Sequence, residues 1–558
     1  MNAADAVSVD AEPHEGAASV RFHGIWPILM LGALALGLAL FETRELPLID
    51  RDEGRYAEGA REMLASGDWL VPRLFGVPYL EKPPLFFWMT AASCGLVGVD
   101  ELGARLVSAL AAAVGVVVTG LFARRAFGRR AGVLAAAVLA TSGLYLVLAR
   151  VVITDMLFSV LVTGALVSWF LAETEKRSFL PFWLLAAAAT LTKGPVAAVL
   201  CGLVGLGYLA SERSLGDLRS LRFWIGMPVF LAIVLSWFAL VEIRYPGFVY
   251  FYVYKEHLLR VAGDEHREPF FWYLPWVLAG WLPWTPIAVA LAPAIGRRLS
   301  EQTARGRAAR FVAIWACVVL VFFSIARGKL VPYILPMFPA MAILLGDALD
   351  DWLEDRAASA AVSRSVYAIA ACLLLAVLAV PYAVWASPAT VPPHLVALVP
   401  SALLAAAAVL LALARSHSLR PIAAVAASVA ALECVVVLVA SPIQRQLTTW
   451  PVVDILQKEL RPDDEVVLYS GYFPNVPFYL QRIPLFVEGN RELDFGVSLE
   501  GSGPAIVKNI AELERRVGRR RLLLVLRTRE RDLQRLSRMP GTRLLYKGRS
   551  SSLVERRP

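Results

Sequence analysis

Asp50, Arg51, Asp52, Glu53 and Arg55 place three carboxylates and two guanidiniums within six positions of the stretch LIDRDEGRY. A carboxylate held among arginines can orient a substrate, take a proton as a general base or support positive charge on a reacting carbon. Guanidinium and ammonium groups complement it by holding phosphate charge. The same residue types recur downstream, as Tyr79, Glu81 and Lys82 ahead of Pro83-Pro84, as Arg150 and Asp155, and as Lys193 in a Thr-Lys-Gly triplet. His257, Asp264, Glu265, His266 and Arg267 come next, and then Arg327, Lys329 and Tyr333. Only eight residues are lysine, against 47 arginines, and Lys82, Lys193 and Lys329 all stand where an apolar run begins or ends.

Simple structural roles compete with chemistry at each place. Asp52 suits the N-cap of a helix through Glu53–Ser66, whose Tyr56, Ala60, Met63 and Leu64 form an apolar stripe. The capping box would want Glu or Gln three residues on, where Arg55 stands. Such a helix, lying on the outer leaflet, would hold Asp52 at the lipid boundary. Asp155 comes four residues into the apolar run VVITDMLFSVLV, where an unpaired carboxylate is expensive, so function outweighs a plain salt bridge with Arg150. A lone lysine at a membrane-level turn is as readily a snorkelling end as a ligand-binding group, and His266 alone reads as a solvated loop histidine. Glu433, within the last apolar run, has no role legible in sequence.

The elements that must position these groups are membrane helices. The chain has 558 residues, 58% of them hydrophobic, and a mean hydropathy of +0.60. The Ala/Leu/Val runs lack the alternation of a barrel, and a helix needs about 20 residues to cross a bilayer. Thirteen spans are expected, near 25–41, 103–123, 131–149, 152–171, 179–192, 194–210, 223–241, 271–293, 311–326, 331–348, 365–387, 395–414 and 421–441. Residues 84–99 are too short and read as a re-entrant or interfacial helix. This count puts nineteen Lys/Arg on the N-terminal side and eight in the opposite loops beyond the first long one, so the arginine-rich side is cytoplasmic.

The expected fold is therefore an α-helical polytopic membrane protein with a C-terminal soluble α/β domain. Residues 1–24 read as a disordered cytoplasmic segment, 25–441 as the membrane domain with outer loops 42–102 and 242–270, and 442–558 as the extracytoplasmic domain. In that domain, strands are expected at 465–469, 521–527 and 542–547, and helices at 511–517 and 528–538. The first apolar run has no cleavage site after it and reads as an uncleaved span. The five cysteines lie in apolar segments without metal-binding spacing, so neither disulfides nor a zinc knuckle is expected. A net charge of +9, scattered over loop ends, suits anionic membrane lipids and not nucleic acid. The Thr-Lys-Gly triplet lacks the upstream glycine of a P-loop, and there is no internal repeat of the kind transporters show.

DExRYAE at 52–58, REMLASGDWxVP at 61–72, YLEKP at 79–83, TKG at 192–194, EHxxR at 256–260, HRxPF at 266–270 and RGKLxxYIL at 327–335 together resemble the bacterial lipid A aminoarabinose transferases. These are GT-C glycosyltransferases that use polyprenyl-phosphate sugars. The resemblance covers about 290 residues and is weaker over 365–441 and in the tail. It implies an undecaprenyl-phosphate-linked 4-amino-4-deoxy-L-arabinose donor, a lipid A phosphate as acceptor, and an inner-membrane enzyme whose site faces the periplasm. By motif, Asp52 and Asp155 match the key carboxylates. Arg55 and Lys82 would face the donor phosphate, with Lys329 and Tyr333 nearby and Tyr79, Lys193 and Arg267 among the substrate-binding residues. Glu81 and His266 match positions where a divalent ion, zinc or similar, can bind, and no cofactor is implied as required. Arg327 in place of lysine, and Val331-Pro332 in place of Pro-Thr, depart from the pattern. Two other readings stay open, a GT-C transferase that moves another sugar to a hydroxyl and a non-enzymatic lipid-linked-sugar flippase.

Overall fold

The computed structural model describes residues 24–216, 221–259, 268–355, 359–386, 389–469, 471–487, 493–500, 505–507 and 510–557. The expectation of a disordered segment before residue 24 lies outside them. The membrane domain begins with α1 (Trp26–Leu40). A loop region comes next, carrying α2 (Asp52–Ser66), the two-stranded hairpin of β1 (Arg73–Leu74) and β2 (Val77–Pro78), and α3 (Leu85–Val97). At 13 residues α3 reaches about 20 Å, short of a bilayer's hydrocarbon core.

The bundle continues with α4 (Glu101–Phe127), α5 (Arg129–Ala140), α6 (Gly143–Ala149), α7 (Thr154–Thr174), α8 (Leu180–Lys193), α9 (Val196–Ser211) and α10 (Met227–Arg244). The domain closes with α11 (Tyr273–Gly280), α12 (Trp284–Ser300), α13 (Ala304–Ile325), α14 (Phe338–Glu354), α15 (Ser359–Ala386), α16 (Pro393–Leu413) and α17 (Leu419–Leu447). Among the described residues nine helices are long and apolar enough to cross a membrane, or eleven if two bent pairs each count as one span. The shorter apolar helices α8 and α9 bring the segments to the thirteen positions read from sequence. This is a multi-pass membrane protein.

The two bends have local causes. Between α5 and α6 the axis turns by 64°, where Thr141 and Ser142 donate their hydroxyls back to the carbonyls of Ala137 and Val138. The second bend, 105° ahead of α12, packs against the first. Gly143 donates its N–H to Leu282, and Trp284 donates its indole N–H to Thr141.

Ion pairs sort the two ends of the bundle. At one end Arg298, buried, holds Asp347, Asp351 and Glu301, while Arg130 pairs with Asp350 and Arg310 with Glu212. The opposite end gathers the loop after α1 and the turns at 150–154, 193–195 and 326–333.

After α17, α18 (Trp450–Glu459) leads into a six-stranded sheet of order β5-β4-β3-β6-β8-β7. Its strands are β3 (Glu465–Tyr469), β4 (Leu485–Val487), β5 (Ile506–Val507), β6 (Leu522–Arg527), β7 (Thr542–Lys547) and β8 (Ser551–Arg556). The first four in that order are parallel, and β8 and β7 add antiparallel. Its helices are α19 (Asn475–Leu480), α20 (Asp494–Glu500), α21 (Ile510–Val517) and α22 (Glu530–Ser537). The sheet domain sits on the loop region. Phe75, at the hairpin tip, stacks on Phe486 with ring centres 5.2 Å apart, and Arg73 forms a two-pronged pair with Glu500.

Candidate active site

The three acids of LIDRDEGRY have separate fates. Glu53 is fully buried and holds the Arg105 guanidinium with both oxygens, at 2.8 and 2.7 Å, while accepting from the backbone N–H of Ile49 and Val152. Arg105 spends its remaining N–H groups on the carbonyls of Thr43, Leu46 and Pro47. This single pair ties α2, α4, the loop after α1 and the turn before α7. Asp50 accepts from Thr449, through both its N–H and its hydroxyl, and from the Asn475 amide. Its burial raises its pKa, and those hydrogen bonds act against the rise.

That leaves Asp52 for chemistry. Its side chain is 71% exposed, and its nearest charged partner is Arg55 at 3.9 Å. Asp52 is the first helical residue and not the cap. Arg51 occupies the cap position with φ +72° and makes no capping hydrogen bond. Nor does α2 lie on a leaflet as its stripe suggests. Ten of its residues are buried, and it is wedged between α3 and α19. The stripe covers one face, and the charged face opposite is satisfied internally by Glu53, Glu58, Arg61 and Glu62.

Asp155 sits in the first turn of α7, because the helix begins at Thr154 and not at 152. A carboxylate there meets the positive end of the helix dipole. Its partner is Lys193, the last residue of α8, in direct contact; both are largely buried. Arg150, the partner considered from sequence, instead caps the end of α1 by donating to the carbonyls of Leu38 and Phe41. The Lys193 ammonium also lies 4.3 Å from the ring centre of Tyr333 and 5.3 Å from that of Phe158.

Tyr56 joins this pair to the loop residues. It is 5% exposed, with its ring packed edge-on to Phe86. Its hydroxyl hydrogen-bonds Thr154, and its charged neighbours are Arg55, Asp155 and Glu81. Burial pushes its phenol well clear of titration at neutral pH. Tyr79, also buried, donates its hydroxyl to Glu81 at 3.1 Å and has Arg55, Glu81 and Tyr56 around it. Lys82 is half-buried beside Glu81. Thus Arg55, Tyr79, Glu81, Asp155, Lys193 and Tyr333 converge, with Asp52 on the rim one turn away.

Lys329 is buried, and its ammonium donates to the carbonyls of Glu268 and Ala326, with burial lowering its pKa. His266 and Arg267 lie outside the described residues, as does the side chain of His257. Among the described residues no three His, Cys, Asp or Glu side chains come together as a metal would need. Among the described residues Glu81 therefore stands without a set of metal ligands around it. Glu433 faces Arg150 electrostatically and so belongs with the packing of α1, α6 and α17. Tyr56, Thr154 and Arg105 were not distinguishable as site residues in sequence, since each reads as an ordinary helix position.

The family described as dolichyl-phosphate-mannose-protein mannosyltransferase matches residues 81–239. The crystal structure of ArnT from Cupriavidus metallidurans bound to undecaprenyl phosphate superposes with a TM-score of 0.83 at 28% identity, covering 95% of this chain and 97% of that one. The undecaprenyl phosphate-α-4-amino-4-deoxy-L-arabinose arabinosyl transferase 1 of Pseudomonas fluorescens is 34% identical over 316 residues. This chain is similar to the aminoarabinose transferases. The corresponding transferase of Aeromonas salmonicida is 32% identical over 342 residues. These matches span 54% and 60% of the two curated relatives' own length, and 55% and 58% of this chain. Over the solved relative the likeness extends through both the helical domain and the sheet domain.

Proposed function

We propose that the protein transfers 4-amino-4-deoxy-L-arabinose from undecaprenyl phosphate to a phosphate group of lipid A, on the periplasmic side of the inner membrane. The observation that carries this reading is the cluster of cations and aromatic groups around Asp155, at the loop end of a fold shared with an ArnT that binds undecaprenyl phosphate. The orientation is supported by the arginine-rich loops at the opposite end, which belong in the cytoplasm.

An acceptor phosphate oxygen attacks the anomeric carbon, and the bond from that carbon to the undecaprenyl phosphate oxygen breaks. The electron pair leaves with undecaprenyl phosphate, which needs no proton but needs its charge held. Lys82 and Arg55 suit that task, because cations in a water-poor setting act on developing charge more strongly than in bulk solvent. A phosphate monoester is already largely ionised at pH 7, its second pKa being about 6, so Asp52 has little proton to remove. Its exposed carboxylate orients the acceptor and sugar and supports the positive charge that builds on the anomeric carbon. Asp155, fixed by Lys193, presents a second carboxylate in one orientation.

The test combines purified protein, undecaprenyl-phosphate-aminoarabinose and lipid A, with mass spectrometry of the lipid A. Wild type should add one aminopentose, and Asp52→Asn and Asp155→Asn should each lose at least about 100-fold in rate, the range for a positioned group at the transition state. Consumption of donor with lipid A unchanged would retain the reaction class and refute the acceptor. No turnover with any acceptor would refute the transferase.

A further inference from the structure

The sheet of the C-terminal domain has a topological switch point. From β3 the strands step outward through β4 to β5, and then β6 returns to the other side of β3. β3 and β6 are parallel, so their carboxyl ends open side by side, the place where open α/β sheets bind ligands. The segments leaving these two strand ends are seated against the loop bearing Asp52. Asn475, after β3, donates its amide to Asp50, is fully buried, and leaves its own carbonyl oxygen without a donor. After β6 comes a tight turn, Arg527-Thr528-Arg529, closed by the Arg529 N–H to the Arg527 carbonyl at 2.7 Å. Thr528 donates its N–H to the carbonyl of Ser550. The Ser550 hydroxyl in turn donates to the carbonyl of Thr448, next to the Thr449 that Asp50 holds.

Three guanidiniums border this crevice, Arg51 and Arg529 both lying within electrostatic reach of Arg527. Arg51 comes from the loop, in a backbone conformation (φ +72°) that a side-chain-bearing residue adopts at a cost. Arg527 and Arg529 come from the sheet domain. Burial and the like charges of Arg51 and Arg529 lower the pKa of Arg527, and only Asp50 acts the other way. None of the three has a salt bridge among the described residues, whereas Arg521, just before the same strand, is satisfied by Asp464 and Glu555. Three cations without a salt bridge, facing the single carboxylate of Asp50, leave an excess of positive charge that is complementary to a ligand bringing its own negative charge.

We propose that Arg51, Arg527 and Arg529 form a binding site for a phosphate monoester of the acceptor headgroup, two of its three cations being supplied by the C-terminal domain. This deepens the reaction proposed above and rests on it for the identity of the acceptor. A phosphate held here lies one residue along the chain from Asp52, so the domain hands the acceptor to the rim of the site. The donor lipid, held at Arg55 and Lys82, does not need the crevice.

The experiment uses the full-length protein in detergent and the double variant Arg527→Gln/Arg529→Gln, with Arg531→Gln on the exposed face of α22 as control. Binding of lipid A, undecaprenyl phosphate and inorganic phosphate is measured separately, and KM for each lipid substrate is taken where turnover is seen. Loss of charge-assisted contacts should weaken lipid A binding by about tenfold or more and raise its KM, with undecaprenyl phosphate binding and the control unchanged. That retained donor affinity also shows the variant to be folded. Unchanged lipid A affinity in the double variant overturns the proposal. So does a loss confined to inorganic phosphate, which would make this a site for the free anion. If wild type binds lipid A through these arginines but transfers nothing to it, the crevice stands and the reaction falls.

Discussion

Asp155 and Lys193 are worth more together than either is alone. Each is nearly closed off from solvent, and a buried charge without its partner is destabilising by about 3–5 kcal/mol. Lys193→Met should therefore lower the thermal unfolding midpoint distinctly, because Asp155 loses the ammonium in direct contact with it. Asp155→Asn combined with Lys193→Met should recover most of that loss, since an amide and a thioether can share the space without an uncompensated charge. All three variants should be inactive. The measurement is a double-mutant cycle on unfolding, and strict additivity of the two single changes would show that the pair is not coupled. The same contrast separates Asp52 from its neighbours. Glu53 is engaged by Arg105, and Asp50 by Thr449 and Asn475, so only Asp52 keeps a carboxylate available to a substrate.

α2 shows why elements were easier to read than their surroundings. Its end at Ser66, the thirteen apolar segments and the strands at 465–469, 522–527 and 542–547 all stem from runs of residue types that report local structure. Short strands such as β4, β5 and the hairpin β1–β2 carry too few residues for any periodicity. Asp155 and Lys193, 38 positions apart, could be named singly but not as a pair, because contact between helix ends is invisible along the chain. Within α2 the charged face hides a second long-range device. Glu58 and Glu62 are buried and hydrogen-bonded to each other, with Arg61 pairing Glu58, and Glu62 accepting from the N–H groups of Phe75 and Gly76 at the hairpin tip. Burial raises the pKa of both carboxyls, and Glu62 raises that of Glu58 further. A carboxyl raised in the folded state binds its proton more tightly there than in the unfolded chain. Its contribution to stability is thus full below the ordinary glutamate value of 4.5 and is lost as pH climbs through the raised one. Glu58→Gln should remove up to one proton's slope, about 1.4 kcal/mol per pH unit, from unfolding measured between pH 4.5 and 8. An unchanged slope would show that Glu58 does not hold that proton.

At the scale of the whole molecule, the sheet domain and the membrane domain meet through contacts that also shape the site. Asp50 grips Thr449 and Asn475, Tyr479 accepts from Leu48 and donates to Glu101, and Phe75 enters the sheet domain against Phe486. One close backbone approach is at Gly54 of α2. A Cβ there would stand 2.7 Å from the backbone nitrogen of Asn475 and 3.0 Å from its Cβ. Neither atom belongs to a flexible side chain that can swing aside, so α19 as a whole must retreat. Gly54→Ala would gain helix propensity worth about 1 kcal/mol in an isolated helix, yet overpacking of this kind costs about 1–3 kcal/mol. The net change should be loss. It should appear as weaker docking of the sheet domain, with faster proteolytic release of the chain after α17, while the membrane helices stay protected. Because Asp50 and Asp52 flank the same contact, transfer activity should fall in step with docking even though Gly54 touches no substrate. Unaltered protease resistance with lost activity would instead place Gly54 in the reaction path and separate the two roles of this loop.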